Sequence, residues 1–225
     1  MPKTKVSPRT PTLEAYGEFQ TAYDHYNRLL FHDALPPCLI TLHRESHKVL
    51  GYFSHNRFVR LSDGRTATDE IAMNQMHFAG REVTAVLSTL AHEMVHLWQA
   101  HYGKPSRKAY HNREWAAKMR AIGLQPSDTG EPGGKETGQK MGHYTIAGGA
   151  FERATAALMD AGFALSWADA AILERAGKMK KSGNRVKYTC PDCGANAWGK
   201  GGLHLICTDC DQAMASGTAE EGEDG

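Results

Sequence analysis

No stretch of this 225-residue chain approaches the ~18 to 20 consecutive apolar residues that a membrane helix needs. The opening "MPKTKVSPRTPTLEAYGEF" has a few basic residues but no apolar segment after them, so a secretory signal is not expected. An excess of charge is also missing. Twenty-six Lys and Arg against 25 Asp and Glu leave a formal net charge of +1, so any case for nucleic acid rests on local clusters. Cysteine is scarce at five residues, too few for a disulfide scaffold, and four of the five fall into two tight pairs. The fifth, Cys38, follows Pro36 and Pro37 at the start of an apolar run and reads as a core residue. These absences predict a soluble, cytoplasmic protein with no membrane partner. What is present, 41% hydrophobic and 23% charged residues, is enough for one packed domain and a small appendage.

Residues 1–9 read as disordered. Thr10 before Pro11 suits a helix start, and Tyr16, Phe19, Tyr23, Tyr26 and Leu30 recur at steps of three and four, predicting an amphipathic helix that ends before Pro36. "CLITLH", "VLGYFSHNRFVRL" and "DEIAMN" read as strands, with Gly51 and Asp63-Gly64 as bend or turn residues. Thr84 to Tyr102 and Asn112 to Ile122 read as helices. Residues 123–149 hold eight of the 23 glycines and read as a long loop, either functional or a linker. "AFERATAALMDAGF" and "SWADAAILERAGKM" are helical in pattern, the second opened by Ser166 with Asp169 three residues on.

"AHEMVHLWQAHYGKPSRKAYHNREW" carries the chemistry. His92, Glu93 and His96 spell H-E-x-x-H. On a helix the two histidines lie one turn apart on one face, so both imidazoles reach one ion at about 2.0 to 2.1 Å. Glu93 sits beside them, placed to hold a water at the metal and take its proton; zinc brings that water's pKa towards ~7. Leu87, Ala91, Met94 and Trp98 form an apolar stripe opposite, so one helix face packs while the other meets a cleft. So short a pattern also arises by chance, and a catalytic site needs a third protein ligand. Three candidates follow. His101 lies over a third of a turn off the ligand face. His111 opens a new helix after enough chain to turn back. Glu114, three residues later, is an alternative ligand or an outer partner to a ligand histidine. Geometry favours His111, then Glu114, then His101.

At this point the chain resembles a known family. "LAHEMVHLWQ" followed by "YHNREWAAKM" looks like the SprT-like metalloproteases, relatives of the DNA-dependent protease Spartan. The resemblance implies an α+β, zincin-like metalloprotease domain followed by a small zinc ribbon. It makes His92, His96 and His111 ligands of a catalytic zinc, with Glu93 as the catalytic glutamate. It also implies an endopeptidase acting on protein or peptide, extending to DNA-bound protein.

Cys190 and Cys193, thirteen intervening residues, then Cys207 and Cys210 suit a closed four-thiolate structural zinc site. Gly194 and Asp211 stand where such turns need small or turn-forming residues. The implied organisation is a protease domain over 10–176, a basic hinge over 177–187, a ribbon over 188–212 and an acidic, disordered tail over 213–225. Lys178, Lys180, Lys181, Arg185, Lys187, Trp198 and Lys200 combine cations with an aromatic, as phosphate contact and base stacking require; a merely solvated linker explains the cations equally well. His143 and Tyr144 are candidates to enter the cleft and donate to an oxyanion, against simple packing of the loop. The competing functional readings are a non-catalytic nucleic-acid-binding protein and a zinc hydrolase acting on something other than peptide.

Overall fold

The computed structural model describes residues 10–44, 49–107, 110–179 and 185–216. Residues 1–9, Lys180, Lys181 and 217–225 fall outside these ranges, so the N-terminal disorder, two of the basic positions and most of the acidic tail do too. The protein mixes helix and sheet. It divides after Leu173 into two compact units. Among the described residues no helix is long and apolar enough to cross a membrane.

In the first unit, helix α1 (Pro11–Phe31) begins with proline in its first turn, where no donor is lost. Thr10 occupies the cap position without a side-chain capping bond. The buried stripe starts only at Phe19 and runs through Tyr23, Tyr26 and Leu30. Tyr16, expected in that stripe, lies one turn before the core begins and is 43% exposed. After α1, His32 and Asp33 adopt left-handed backbone angles, and Asn27 both donates to and accepts from the Leu35 backbone, which closes the turn.

Strand β1 (Leu39–His43) runs parallel to β3 (Ala67–Asn74), and β2 (Gly51–Val59) pairs antiparallel with β3 on its other side. β3 is central and buried from Asp69 to Asn74. Gly64 does turn the chain with φ 62°, while Asp63 accepts from the Arg65 and Thr66 amides. Gly51 serves differently from the expected bend. It lies within β2, and a Cβ there would come 3.0 Å from the Ala72 carbonyl oxygen, 3.2 Å from Thr89 and 3.5 Å from Glu93. A side chain at this position would require the Ala72 carbonyl and the Thr89 methyl to give way by a few tenths of an ångström.

Helix α2 (Val83–Tyr102) supplies much of the core through Leu87, Leu90, Ala91, Met94 and Leu97. Helix α3 (Arg113–Ala121) follows, capped by the Asn112 side chain on the Trp115 amide. The glycine-rich stretch is not a bare loop. Its ends form an antiparallel hairpin, β4 (Leu124–Ser127) with β5 (Gly142–Thr145), and its middle makes a two-bond backbone bridge between Gly138 and His111. Helix α4 (Ala150–Asp160) then packs Phe151, Ala154 and Leu158 into the same core. Cys38 lies partly buried against it, and burial pushes its thiol up to about 12.

Helix α5 (Ala170–Met179) carries the chain across the division. Asp169 caps it by accepting from Ala171 and Ile172, so the helix starts later than Ser166, which instead bonds Glu18. In the second unit, β6 (Arg185–Thr189) pairs with β7 (Asn196–Lys200) and with β10 (Ala215–Ser216), while β8 (Ile206–Cys207) pairs with β9 (Gln212–Ala213). Regular structure therefore extends past both expected limits of the ribbon: β6 begins within the hinge, and the second residue of β9 and all of β10 lie in the expected tail. The reason is pairing, because β10 needs β6 as its partner.

Candidate metal centres and the cleft

His92 and His96 project from one face of α2, and His111 reaches the same point from the segment just before α3. Their candidate ligand atoms all lie within 4.8 Å of one another. Glu114 and His101 are not part of this group. The Glu114 carboxylate accepts from the Lys104 amide and the Gln99 side chain, tying the end of α2 to the start of α3. His101 faces Asp69 instead, at 2.6 Å.

The outer nitrogens of two of the three rings are accounted for. His111 Nδ1 lies 3.2 Å from the Gly138 carbonyl, which can only accept, so Nδ1 carries the proton and Nε2 keeps its lone pair. His92 Nδ1 lies 3.1 Å from His143 Nδ1, and His143 Nε2 lies 3.0 Å from Ser88 Oγ, whose hydroxyl donates to the Ala85 carbonyl. One proton order satisfies the whole chain. His92 donates to His143, His143 to Ser88, and Ser88 to the carbonyl, leaving His92 Nε2 free to ligate. Both nitrogens of His143 are thus engaged, so it has no N–H left for an oxyanion. Tyr144 lines the cleft beside it.

Beneath the rings lies Trp115, fully buried, stacked on His96 (5.4 Å, 24°) and edge-on to His92 and His111. This apolar floor fixes ring orientation and removes water. Burial, reinforced by the neighbouring imidazoles, holds His92 far below the usual histidine range and His96 at about 3; burial also lowers His111. All three are therefore neutral donors at pH 7, as metal ligands must be. Glu93 is 5% exposed, and burial pushes its carboxyl up to about 8.

The group opens on a cleft of about 960 Å³ lined on its apolar side by Val49, Leu50, Phe53 and Met141. Arg81 also lines it, held by the Ala85 carbonyl at 2.7 Å, and its nearby charge joins burial in lowering His143 to about 4. Sequence reasoning missed Trp115, Ser88, Gly138 and Arg81 as parts of this site. Trp115 alone had a local signal, standing four residues after His111.

A model of the SprT-like family matches residues 19–132, which contain the later part of α1, all of α2 and α3, the three-stranded sheet and the histidine group. The chain belongs to the SprT-like family. A Salmonella typhimurium protein, "Uncharacterized protein in mucB 3'region", is 49% identical over 67 residues, covering 30% of this chain and 88% of the relative. No solved structure matches. Membership in the SprT-like family suggests a metalloprotease-type function.

Beyond the SprT-like match, Cys190, Cys193, Cys207 and Cys210 form a second group of candidate ligands. The Cys193 and Cys207 sulfurs are 3.7 Å apart, beyond any disulfide and close to the ~3.8 Å edge of a tetrahedron with bonds of about 2.3 Å. Gly194 (φ 72°) and Asp211 (φ 52°) each follow the second cysteine of a pair in left-handed conformation, which curls the chain around the sulfurs. Backbone amides of Cys193 and Asp192 aimed at the Cys190 sulfur bring its thiol down to about 7. The donor chemistry fits zinc in both groups: three neutral imidazoles beside an open cleft, and four thiols in a closed set.

Proposed function

We propose that this chain is a zincin-like zinc endopeptidase in which Glu93 is the general base. The observation that carries this reading is the convergence of His92, His96 and His111 beside the buried Glu93 carboxylate at the floor of an open cleft. His92, His96 and His111 would hold the catalytic zinc, and the four cysteines a structural one. When bound, zinc supplies Lewis acidity, polarising a peptide carbonyl and bringing water's pKa to about 7. Glu93 would accept the proton of the attacking water and return it to the leaving amine. The Trp115 floor and the His143–Ser88 chain keep the ligand rings oriented. Tyr144, which lines the cleft, would donate to the oxyanion. β2 is an edge strand whose Gly51–Phe53 segment lines the cleft, so an extended peptide can add to it through backbone hydrogen bonds.

A nucleic-acid contact in the second unit is favoured by one observation. Lys187 pairs directly with Trp198 across β6 and β7, both exposed, Trp198 at 61%. Lys200 follows two residues along β7 and is exposed too, and its backbone partner is Arg185. Val186 and Tyr188 turn the other way, so one face of this small sheet gathers cations around an indole, as base stacking with phosphate contact requires. DNA-bound protein is the substrate class this arrangement fits.

The test is cleavage of casein and of DNA-bound protein, with and without DNA, by wild type and Glu93→Gln. The amide keeps the shape and loses the base, so a fall of about 10²- to 10⁴-fold is expected with zinc content unchanged. Near-wild-type turnover in the variant would remove this mechanism and favour a different hydrolase, whereas no cleavage by wild type would favour a non-catalytic protein.

A further inference from the structure

A third group of ligand-type side chains lies away from the cleft. His55 on β2, Asp69 on β3 and His101 in the last turn of α2 place one nitrogen or oxygen each within 4.8 Å of one another. His101 is five residues beyond His96, about 140° around the helix, so it belongs to a different face from the cleft ligands.

The geometry of the group is specific. The Asp69 side chain is 4% exposed, while His55 is 48% and His101 32% exposed, so a buried carboxylate lies under two rings open to solvent. His55 Nδ1 is 2.8 Å from one carboxylate oxygen and His101 Nε2 is 2.6 Å from the other. The Asn56 amide adds a 2.6 Å bond to the oxygen that faces His55. The rings meet edge-on with centroids 5.4 Å apart. His55 reaches this position through an irregularity in β2. Pairing with β3 breaks between Ser54 and Phe58, and Asn56 sits at φ 50°, a conformation that costs energy for a residue other than glycine. Without that kink, strand alternation would not bring His55 and the Asn56 amide to one carboxylate.

We propose that His55, Asp69 and His101 form a metal site for a zinc-class divalent cation, separate from the cleft and from the cysteine group. Two imidazoles and one carboxylate give a mixed nitrogen and oxygen set with one negative charge. Such a set suits zinc and its d-block neighbours better than calcium or magnesium, which want oxygen alone. The solvent side leaves the remaining positions to water. Entry of the cation needs the proton on each facing nitrogen to move to the ring's other nitrogen. For His55 that is Nε2, which lies 2.8 Å from the Asn56 side-chain amide, and turning that amide presents its oxygen to accept a hydrogen bond from Nε2–H. The site ties the last turn of α2 to the two strands beside it, one of which lines the cleft. It does not depend on the peptidase reading.

Zinc titration of metal-stripped full-length protein, with calorimetry and direct metal counting, tests this. Wild type is expected to bind three zincs, the third at micromolar concentration. The His55→Ala, His101→Ala double variant should bind two, losing the weak class. The His92→Ala, His96→Ala variant should also bind two but keep the weak class, so failure of the cleft assignment reads out separately. If the double variant does not fold, His55→Ala alone, an exposed position, should weaken the third class by at least about 10-fold. Saturation of wild type at two zincs, a third zinc that survives both substitutions, or binding only at millimolar zinc would each overturn the site. The trio would then be a hydrogen-bonded clasp.

Discussion

The histidine group and the cysteine group are both candidate zinc centres, yet they are held in opposite ways. The histidines sit on a scaffold that exists without metal. α2 is buried along most of its length, Trp115 fills the floor, and His111 is pinned by backbone bonds to Gly138. The cysteines have almost no scaffold. Among the described residues of the second unit only Tyr188, Cys190 and Cys207 are buried, and Tyr188 is fastened by its hydroxyl to the Lys200 carbonyl and the Leu203 amide. Two of the three members of that core are themselves candidate ligands. The difference separates a site that a fold presents from a fold that a site creates.

Removing one cysteine is the strongest way to break the comparison. Structural zinc contributes roughly 10 to 16 kcal/mol to such small units, far more than this core replaces. Cys207→Ser should therefore abolish amide protection throughout β6 and β7, while α2 amides exchange as in wild type. Hydrogen exchange with mass detection reads both in one experiment, and protected β6 amides in the variant would mean the ribbon folds without its ion.

Ligand removal in the first unit should have the reverse outcome, an intact fold with an empty site. His111→Ala should lower zinc affinity at the cleft by more than about 100-fold, the ceiling for losing only an outer partner. Glu114→Ala, which unties the turn between α2 and α3, should weaken it less, and His101→Ala should leave it unchanged. Equilibrium zinc competition ranks the three, and Glu114→Ala emptying the site would reassign the third ligand.

A smaller effect sharpens the role of the hydrogen-bonded chain behind His92. His143→Ala leaves His92 Nδ1 without an acceptor and should cost about 10-fold in zinc affinity. His143→Gln, whose side-chain oxygen can accept from His92, should recover part of it. An alanine variant that binds zinc like wild type would reduce His143 to packing.

The smallest effect is in pH. Burial keeps His96 at about 3 and His143 at about 4 in the folded chain, below the ordinary value near 6.5. Because the unfolded state takes up these protons first, the stability they contribute is fully present above ~6.5 and declines as pH falls towards 4. In metal-stripped protein the urea midpoint of the first unit should fall over that window, and His143→Gln should flatten the decline. A midpoint independent of pH from 7 to 4.5 would mean these rings are exposed.

Much of this protein is legible in its amino-acid order. Periodicity locates α1 to α4 and the first three strands to within a few residues, because an apolar face repeating at the helix or strand period has one way to be buried. H-E-x-x-H and the paired cysteines are equally local, since a helical turn or a knuckle brings such ligands together by itself. The departures share a cause. The glycine-rich stretch reads as loop because its hairpin is stabilised by pairing across fourteen residues between strands that have little local preference. Ser166 resembles a helix cap, but Glu18, 148 residues away, engages it instead.

The residues alone determined the donor types, the helical spacing of His92 and His96, and the two cysteine turns, because those depend on contacts within a few positions. Only the tertiary structure decided that His111 joins them while His101 turns to Asp69, that His143 buttresses the His92 ring, and that Trp115 forms the floor. Those outcomes follow from which distant segments the buried core brings side by side. No local propensity encodes that.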